Sequence, residues 1–182
     1  MRASWPSENL LLGLLAERPM HGYELARLVC DDEALRAIWH LKRSEVYFLL
    51  GKLLAQGHIA EGAADQVDGG QRRAGGPPRQ VYEVTPSGRS LLEAWESEPV
   101  SSPRDLRAAF LAKLYLAHRR GPAQTLALLD NQRRVLRRWR ERLSAAAPAE
   151  SFLALANKLR LAQVEAGLRA LDDIQAALSA PV

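Results

Sequence analysis

The sequence predicts a mainly α-helical protein with a small β-hairpin wing, in which a winged helix-turn-helix domain is followed by a helical dimerisation domain. In the first half, apolar residues recur at spacings of three and four within short segments. Two short alternating segments enclose a stretch rich in glycine. Long amphipathic segments follow Pro103. We therefore expect one domain over residues 1–98, a linker over 99–103 and a second domain over 104–182.

The composition of the 182 residues is that of a folded protein that works in water, with 47% hydrophobic and 25% charged side chains. No apolar run approaches the roughly 20 residues that a membrane span requires, and the first residues lack the apolar stretch of a signal peptide. We therefore expect a cytoplasmic protein without membrane contact. Cys30 is the only cysteine, which rules out a disulfide within the chain, and we expect it to be a small core residue.

Three segments predict helices in the first domain. The first covers residues 7–17, with Ser7 as the N-cap ahead of a leucine-rich stretch. The second covers 21–30, and the third covers 44–56, where Gly57 is placed to end the helix. The acidic run Asp31–Glu33 is either a solvated connector or the start of a helix.

A β-ribbon follows the third helix. Residues 58–61 and 80–84 predict its strands, and the glycine-rich, charged stretch 62–79 predicts a long hairpin tip without core residues. Thr85 and Pro86 then cap and open a fourth helix, because proline at the first helical position loses no hydrogen bond.

This order of three helices, a ribbon and a further helix is expected of a winged helix-turn-helix. Such a fold offers its third helix to the major groove and its ribbon to the DNA backbone. Glu45 would repel phosphate unless it accepts a hydrogen bond from cytosine or pairs with a nearby cation. The side chains that we expect to face DNA are, on the third helix, Arg43, Ser44, Glu45, Tyr47, Phe48 and Lys52, and on the wing, Arg72, Arg73 and Arg79.

The second half predicts three helices, over residues 104–119, 123–145 and 151–178. Long amphipathic helices must bury their apolar stripes, and a partner chain is the simplest cover. The alternative is that they pack on the first domain of a monomer. The residues that we expect in the dimer interface are Leu106, Phe110, Leu114, Leu129, Leu136, Trp139, Leu143, Leu168 and Leu171.

The residues that carry a family resemblance form three runs in order. They are LLGLLAERPMHGYEL at 11–25, SEVYFLLGKLLAQGHI at 44–59 and GGPPRQVYEVTPSGR at 75–89. In these runs the chain resembles the PadR family of transcriptional regulators. Where the family commonly has proline after the tyrosine that Tyr47 matches, this chain has Phe48, which bears on sequence preference and leaves the fold unaffected.

The resemblance implies a homodimer that binds a double-stranded DNA operator, with Tyr47 at the DNA surface. It also implies a repressor that a small-molecule effector or another signal releases, for which Trp39 and Trp139 are the candidate pocket residues. The alternative for each tryptophan is packing in the core. The part after Pro103 is similar in length and pattern to the larger C-terminal arm of one PadR subgroup. No motif for a cofactor, a metal or an enzymatic reaction is present, so we expect none of the three.

Two alternatives depend on charge. The net charge of +4 lies in the second half, because residues 1–96 carry 11 basic and 13 acidic side chains. The region 42–89 is close to neutral, with seven basic and five acidic residues, which leaves open a winged helix that assembles with proteins instead of DNA. The arginine run 133–142 is either a solvated helix face or a surface for flanking DNA or an anionic effector.

Overall fold

The computed structural model describes residues 6–62, 80–144 and 151–179. The chain divides into two compact units, Met1–Glu98 and Pro99–Val182. The predicted hairpin tip lies almost entirely within 63–79, outside the described residues. Within the described part of the chain, no helix has the length and apolar character needed to cross a membrane.

The first unit contains five helices and three short strands among its described residues. Its helices follow four of the predicted segments closely and add a short one, α3, after the acidic run. In chain order the elements are α1 (Pro6–Glu17), β1 (Met20–His21), α2 (Gly22–Asp31), α3 (Glu33–Ile38), α4 (Arg43–Ala55), β2 (Ile59–Gly62), β3 (Val81–Val84) and α5 (Pro86–Ser97).

The α1 helix forms the centre of this unit. Residues 8–15 are all buried, so the helix is covered on every side by α4, α5 and β3. A helix that is apolar all round is stable only in such a position. The α3 helix depends instead on Asp32, whose Oδ1 accepts a hydrogen bond from the Leu35 N–H at 3.0 Å. This N-cap shows that the acidic run starts a helix.

The sheet has three antiparallel strands in the order β1-β3-β2. Met20 pairs with Tyr82, and Ile59 pairs with Val84. The two ribbon strands lie where the sequence predicts them: β2 is shifted by one residue, and β3 begins one residue later and ends at the predicted residue. The first strand, β1, was not predicted, because two residues carry no alternating pattern.

A hydrogen-bonded junction joins the end of α4 to the start of α5. Gly57 ends α4 with a φ of 72°, a left-handed conformation that favours glycine. Thr85 Oγ1 donates to the Gly57 carbonyl at 2.7 Å and accepts from the Gly88 N–H at 3.1 Å. The Thr85 N–H donates to the His58 carbonyl at 3.1 Å. One threonine therefore caps α5 and fixes it to the residues that follow α4.

The second unit contains a 3-10 helix over Pro103–Arg107 and the helices α6 (Ala109–Arg120), α7 (Pro122–Ser144) and α8 (Phe152–Ser179). The single helix predicted over 104–119 is therefore interrupted at Ala108, which has a φ of −131°. Gly121 separates α6 from α7 with a φ of 122°.

The nine residues that we predicted for a dimer interface pack inside this unit. Phe110, Leu129, Leu136 and Leu171 are buried in its hydrophobic core, and the other five pack against that core. The prediction is therefore corrected for the four buried residues, which are covered by their own chain. An amphipathic pattern specifies a buried face without specifying which chain covers it.

Two polar contacts fix the second unit. The buried Gln132 amide accepts from the Val100 N–H at 2.9 Å and donates to the Val100 carbonyl at 3.2 Å. The Arg133 guanidinium on α7 donates to Asp172 Oδ1 at 2.9 Å and to Gln175 Oε1 at 2.7 Å on α8. These contacts hold the segment before the 3-10 helix and α8 against α7.

Gly88 tests the junction between α4 and α5. A Cβ on Gly88 would lie 2.0 Å from the His58 carbonyl oxygen, so Gly88→Ala must separate the two segments. We expect a loss of about 2–3 kcal/mol in the free energy of unfolding, measured by urea denaturation.

Gly51→Ala is the matched control, because no atom lies within 4 Å of a Cβ at that exposed helical position. There we expect a gain of about 0.5–1 kcal/mol from helix propensity. Equal effects of the two substitutions would contradict the close approach at Gly88.

Candidate nucleic-acid interface

The α4 helix presents one apolar and one open face. Val46, Leu50 and Leu53 are buried and anchor the helix to the unit. The opposite face and the first turn are exposed, as the sequence predicts; their exposed side chains are Arg43, Ser44, Glu45, Tyr47 and Phe48. This arrangement gives a helix that is fixed by its inner face and open to a groove along its outer face.

Two large aromatic side chains dominate the open face. Tyr47 is 46% exposed and Phe48 is 72% exposed. Exposed aromatic side chains that neighbour one another mark a surface for binding a partner, because a chain that folds without a partner buries such side chains in its core. Tyr47 offers a hydroxyl to a phosphate or a base, and Phe48 offers an apolar ring.

The ring of Tyr47 lies close to Gly22 of α2, and so does the ring of Tyr82. A Cβ on Gly22 would lie 3.2 Å from Tyr47 Cε1 and 3.1 Å from Tyr82 Cε2, so glycine allows both rings to approach α2. Burial raises the pKa of Tyr82, and the nearby Glu61 and Tyr47 raise it further. The Tyr82 hydroxyl is therefore a protonated donor near neutral pH. Sequence reasoning did not assign Gly22 or Tyr82 to this site, although both stand in the runs that carry the resemblance.

Arg43 extends the open face at the start of α4. Its guanidinium carbon lies 5.8 Å from the centre of the Tyr23 ring, and its Nη2 lies 3.5 Å from Asp31 Oδ2. Both contacts are exposed, and exposed contacts of these kinds contribute little stability. Arg43 is therefore held near the helix start while its guanidinium remains accessible to an anion.

Glu45 has a structural role that accounts for an acidic residue on this face. Its Oε2 accepts a hydrogen bond from the Lys42 N–H at 2.7 Å. A carboxylate in the first helical turn also interacts favourably with the helix dipole. Glu45 therefore stabilises the start of α4, which answers the uncertainty that its charge raised.

Lys52 is paired inside the unit. Its ammonium contacts Glu8 Oε1 of α1, and the Glu8 side chain is only 3% exposed. A buried carboxylate needs such a partner because an uncompensated charge in the interior is costly. We predicted Lys52 as a DNA contact; its ammonium pairs with Glu8 while the side chain is 35% exposed, so the DNA contact stays a prediction.

The remaining predicted site residues lie elsewhere. Arg72, Arg73 and Arg79 of the wing fall in 63–79, outside the described residues. Trp39 is half-buried at the C-terminal end of α3, where its backbone N–H donates to the Leu35 carbonyl at 3.0 Å. Trp139 belongs to the second unit, so neither unit by itself contains both tryptophans of the predicted effector pocket.

A winged helix with an exposed, groove-sized helix is the structure of a DNA-binding domain. The model of the family described as "Transcriptional regulator PadR-like family" matches residues 11–94. The first unit is therefore PadR-like over slightly less than half of the chain, and the family that it matches there consists of transcriptional regulators.

The chain is also similar to solved structures at low sequence identity. PadR of Bacillus subtilis in complex with operator DNA is 22% identical, with 94% of this chain and 93% of that chain covered and a TM-score of 0.45. The same protein in complex with p-coumaric acid is 20% identical, with 97% and 100% covered and a TM-score of 0.43. A PadR-like transcriptional regulator from Bacillus cereus is 18% identical, with 94% and 96% covered and a TM-score of 0.41. No curated protein matches the chain, and the assignment rests on the family match.

Lys52→Met tests the pairing of Lys52 with Glu8. The substitution leaves the Glu8 carboxylate buried without its cation, so we expect a loss of about 3 kcal/mol in the free energy of unfolding, measured by urea denaturation.

The double variant Glu8→Leu/Lys52→Met removes both charges and should recover most of that loss. A stable Lys52→Met protein with weakened DNA binding would instead support Lys52 as a DNA contact.

Proposed function

We propose that the chain is a homodimeric, sequence-specific repressor that binds a pseudo-palindromic operator and leaves it when a small-molecule effector binds. The observation that carries this proposal is the open face of α4 within a PadR-like domain, with Arg43, Ser44, Tyr47 and Phe48 exposed together. A helix of this kind fits the major groove, which is about 12 Å wide.

Each side chain on the face suits a different part of DNA. Arg43 suits guanine or a phosphate, Ser44 suits a base edge, and the Tyr47 hydroxyl suits a phosphate. Phe48 suits the methyl group of thymine, which is the apolar feature of the major groove. The wing arginines Arg72, Arg73 and Arg79 are proposed for phosphates on the sequence alone.

The pairing of two copies is proposed at the start of α8. Four large apolar side chains there are exposed: Phe152 at 83%, Leu153 at 53%, Leu155 at 63% and Leu159 at 64%. Phe152, Leu155 and Leu159 follow spacings of three and four, so they form one stripe. An exposed stripe of this size marks an interaction site, and a second copy of the chain buries it symmetrically.

A second candidate function is assembly with another protein through α4. Exposed aromatics such as Tyr47 and Phe48 are enriched at protein interfaces, and the region 42–89 is close to neutral. A DNA-binding surface with few cations must recognise a particular base sequence through well-placed contacts. A protein-assembly surface has no preference for any DNA sequence. Selection from a random pool of duplex DNA separates the two functions.

In that selection we expect a two-fold symmetric sequence to be enriched. Arg43→Ala and Tyr47→Ala should each weaken binding to it by about tenfold, because each removes a contact from the open face. Arg43→Ala should also lower the slope of log affinity against log salt if its guanidinium binds a phosphate.

Arg169→Ala is the matched control, because it removes the same charge from an exposed position on α8. Equal weakening by Arg43→Ala and Arg169→Ala would assign the effect to net charge. A folded, dimeric protein that enriches no symmetric sequence would replace the regulator with the assembly function.

Leu155→Glu/Leu159→Glu tests the interface between copies. Charges on this stripe should convert the dimer to a monomer, because like charges then meet in an apolar interface. Sedimentation velocity measures the change, and circular dichroism checks that the helical content is retained.

Lys158→Glu is the matched control on the neighbouring exposed position, and it should leave the dimer intact. A wild-type protein that sediments as a monomer at micromolar concentration would contradict pairing through α8.

A further inference from the structure

The exposed side of α7 carries a dense run of arginines. Six arginines lie within residues 133–142, and Glu141 is the only acidic residue among them. On the other side of the helix, Leu136 is buried and Trp139 packs against the core of the second unit. The helix is therefore fixed by its inner side and displays its charges outward. Five of the six arginines are exposed: Arg134, Arg137, Arg138, Arg140 and Arg142.

The acidic side chains near the start of this run are already paired. Asp130 and Asp172 line a cavity between α7 and α8, and the Arg133 guanidinium donates to their carboxylates at 2.5 and 2.9 Å. Arg134 and Arg137 line the same cavity. Within the part of the chain that the structure describes, none of the five exposed arginines forms an ion pair. Their charges are therefore available to a partner.

Three of these arginines form a row whose spacing is unfavourable for an isolated helix. Arg134, Arg138 and Arg142 follow one another at intervals of four residues, and like charges at this spacing destabilise a helix. The helix dipole compensates Arg142, which lies in the last turn of α7. Because the effect of the dipole falls off within that turn, it does not compensate Arg134 or Arg138. An anionic partner would relieve the repulsion along the whole row.

The length of the row suits the backbone of duplex DNA. The eight residue steps from Arg134 to Arg142 rise by about 12 Å along the helix. Over that length of its axis, each strand of a DNA duplex carries about three to four phosphates. Arginine binds a phosphate strongly, through paired charge-assisted hydrogen bonds. Three guanidinium groups therefore match the phosphates of one strand in number and in charge.

The first unit has little positive charge of its own to offer to DNA. Residues 1–96 carry 11 basic and 13 acidic side chains, whereas residues 97–182 carry 14 basic and 8 acidic side chains. Contacts of lysine and arginine with phosphates supply the part of DNA affinity that does not depend on sequence. A chain that binds DNA through α4 therefore gains from phosphate contacts made by the second unit. Six of the 14 basic residues there lie in the run 133–142.

We propose that Arg134, Arg138 and Arg142 bind backbone phosphates of the duplex DNA that flanks the operator. Phosphate contacts carry no sequence information of their own. The row therefore holds the chain on DNA whatever the flanking sequence, while α4 reads the operator. This inference rests on the proposed function, because flanks exist only in relation to an operator.

The test uses the full chain and the symmetric operator recovered by selection, prepared as two duplexes. One is trimmed to the operator, and the other extends it on each side by one helical turn, about 10 bp. We expect the wild type to bind the extended duplex more tightly by about tenfold or more. Two unrelated flanking sequences should give equal affinity, because phosphates are the same in both.

The variant Arg134→Gln/Arg138→Gln/Arg142→Gln should lose the gain in affinity that the flanks provide. On the extended duplex, the slope of log affinity against log salt should fall in magnitude by about 2–3. Binding to the trimmed operator should stay unchanged. The variant should unfold at an equal or higher urea concentration, because the substitutions relieve repulsion along α7.

A matched control removes three charges from exposed arginines outside the run. This control should keep the gain from the flanks, because its arginines do not form a row on one helix. Equal losses in the two variants would assign the gain to net charge and would overturn the proposal. The control variant is Arg104→Gln/Arg107→Gln/Arg169→Gln.

The remaining outcomes separate this inference from the proposed function. A wild-type chain that binds the trimmed and extended duplexes equally would overturn the inference and leave the proposed function intact. A chain that binds neither duplex would contradict the proposed function itself. Vesicles of phosphatidylserine and phosphatidylcholine in equal parts test a membrane as the anionic partner. If the row variant lost binding to these vesicles but kept the gain from the DNA flanks, the row would bind membranes and the proposal would be overturned.

Discussion

The first unit depends on the close approach of α5 to the residues that follow α4. Thr85 contacts the Gly57 and His58 carbonyls and caps the helix that begins at Pro86. Gly88 allows the two backbones to meet, since no side chain fits beside the His58 carbonyl. Because Gly57 ends α4 at the same point, the junction sets both the length of α4 and the place where the ribbon begins. The junction therefore fixes the position in which α4 exposes its open face.

The open face is held by contacts on its other side as well. Lys52 and Glu8 join α4 to the buried α1 helix, and Gly22 lets the rings of Tyr47 and Tyr82 pack against α2. Each contact uses a residue whose type is unusual for its position: a buried carboxylate, or a glycine at the start of a helix. The geometry of the face is therefore determined by residues that lie beneath it.

Much of this fold could be predicted from local patterns. The periods of three and four residues predict α1, α2, α4 and α5, and the alternation at 80–84 predicts β3, because each pattern records burial within one element. The structural role of Glu45 could not be predicted, because its hydrogen bond to Lys42 depends on where the helix begins, and sequence patterns locate helix ends poorly.

Other features depend on residues far apart in the chain. The β1 strand consists of two residues and exists through its pairing with β3. The pairing of Lys52 with Glu8 could not be predicted, because Glu8 lies 44 residues earlier. In the second unit, the amphipathic pattern at Leu129 and Leu136 is the same whether these side chains are buried by their own chain or by a partner chain. The structure shows that the chain covers these residues itself, which moves the exposed apolar surface to the start of α8.

The pairing of two copies that we propose at the start of α8 has a consequence for dosage. When a protein binds a symmetric site only as a pair, the occupancy of the site follows the amount of paired protein. Below the concentration at which pairing saturates, the amount of pairs rises with the square of the amount of chain. A twofold change in synthesis then produces a fourfold change in occupied sites. The four apolar side chains at the start of α8 would in this way set a threshold between a silent and an active gene.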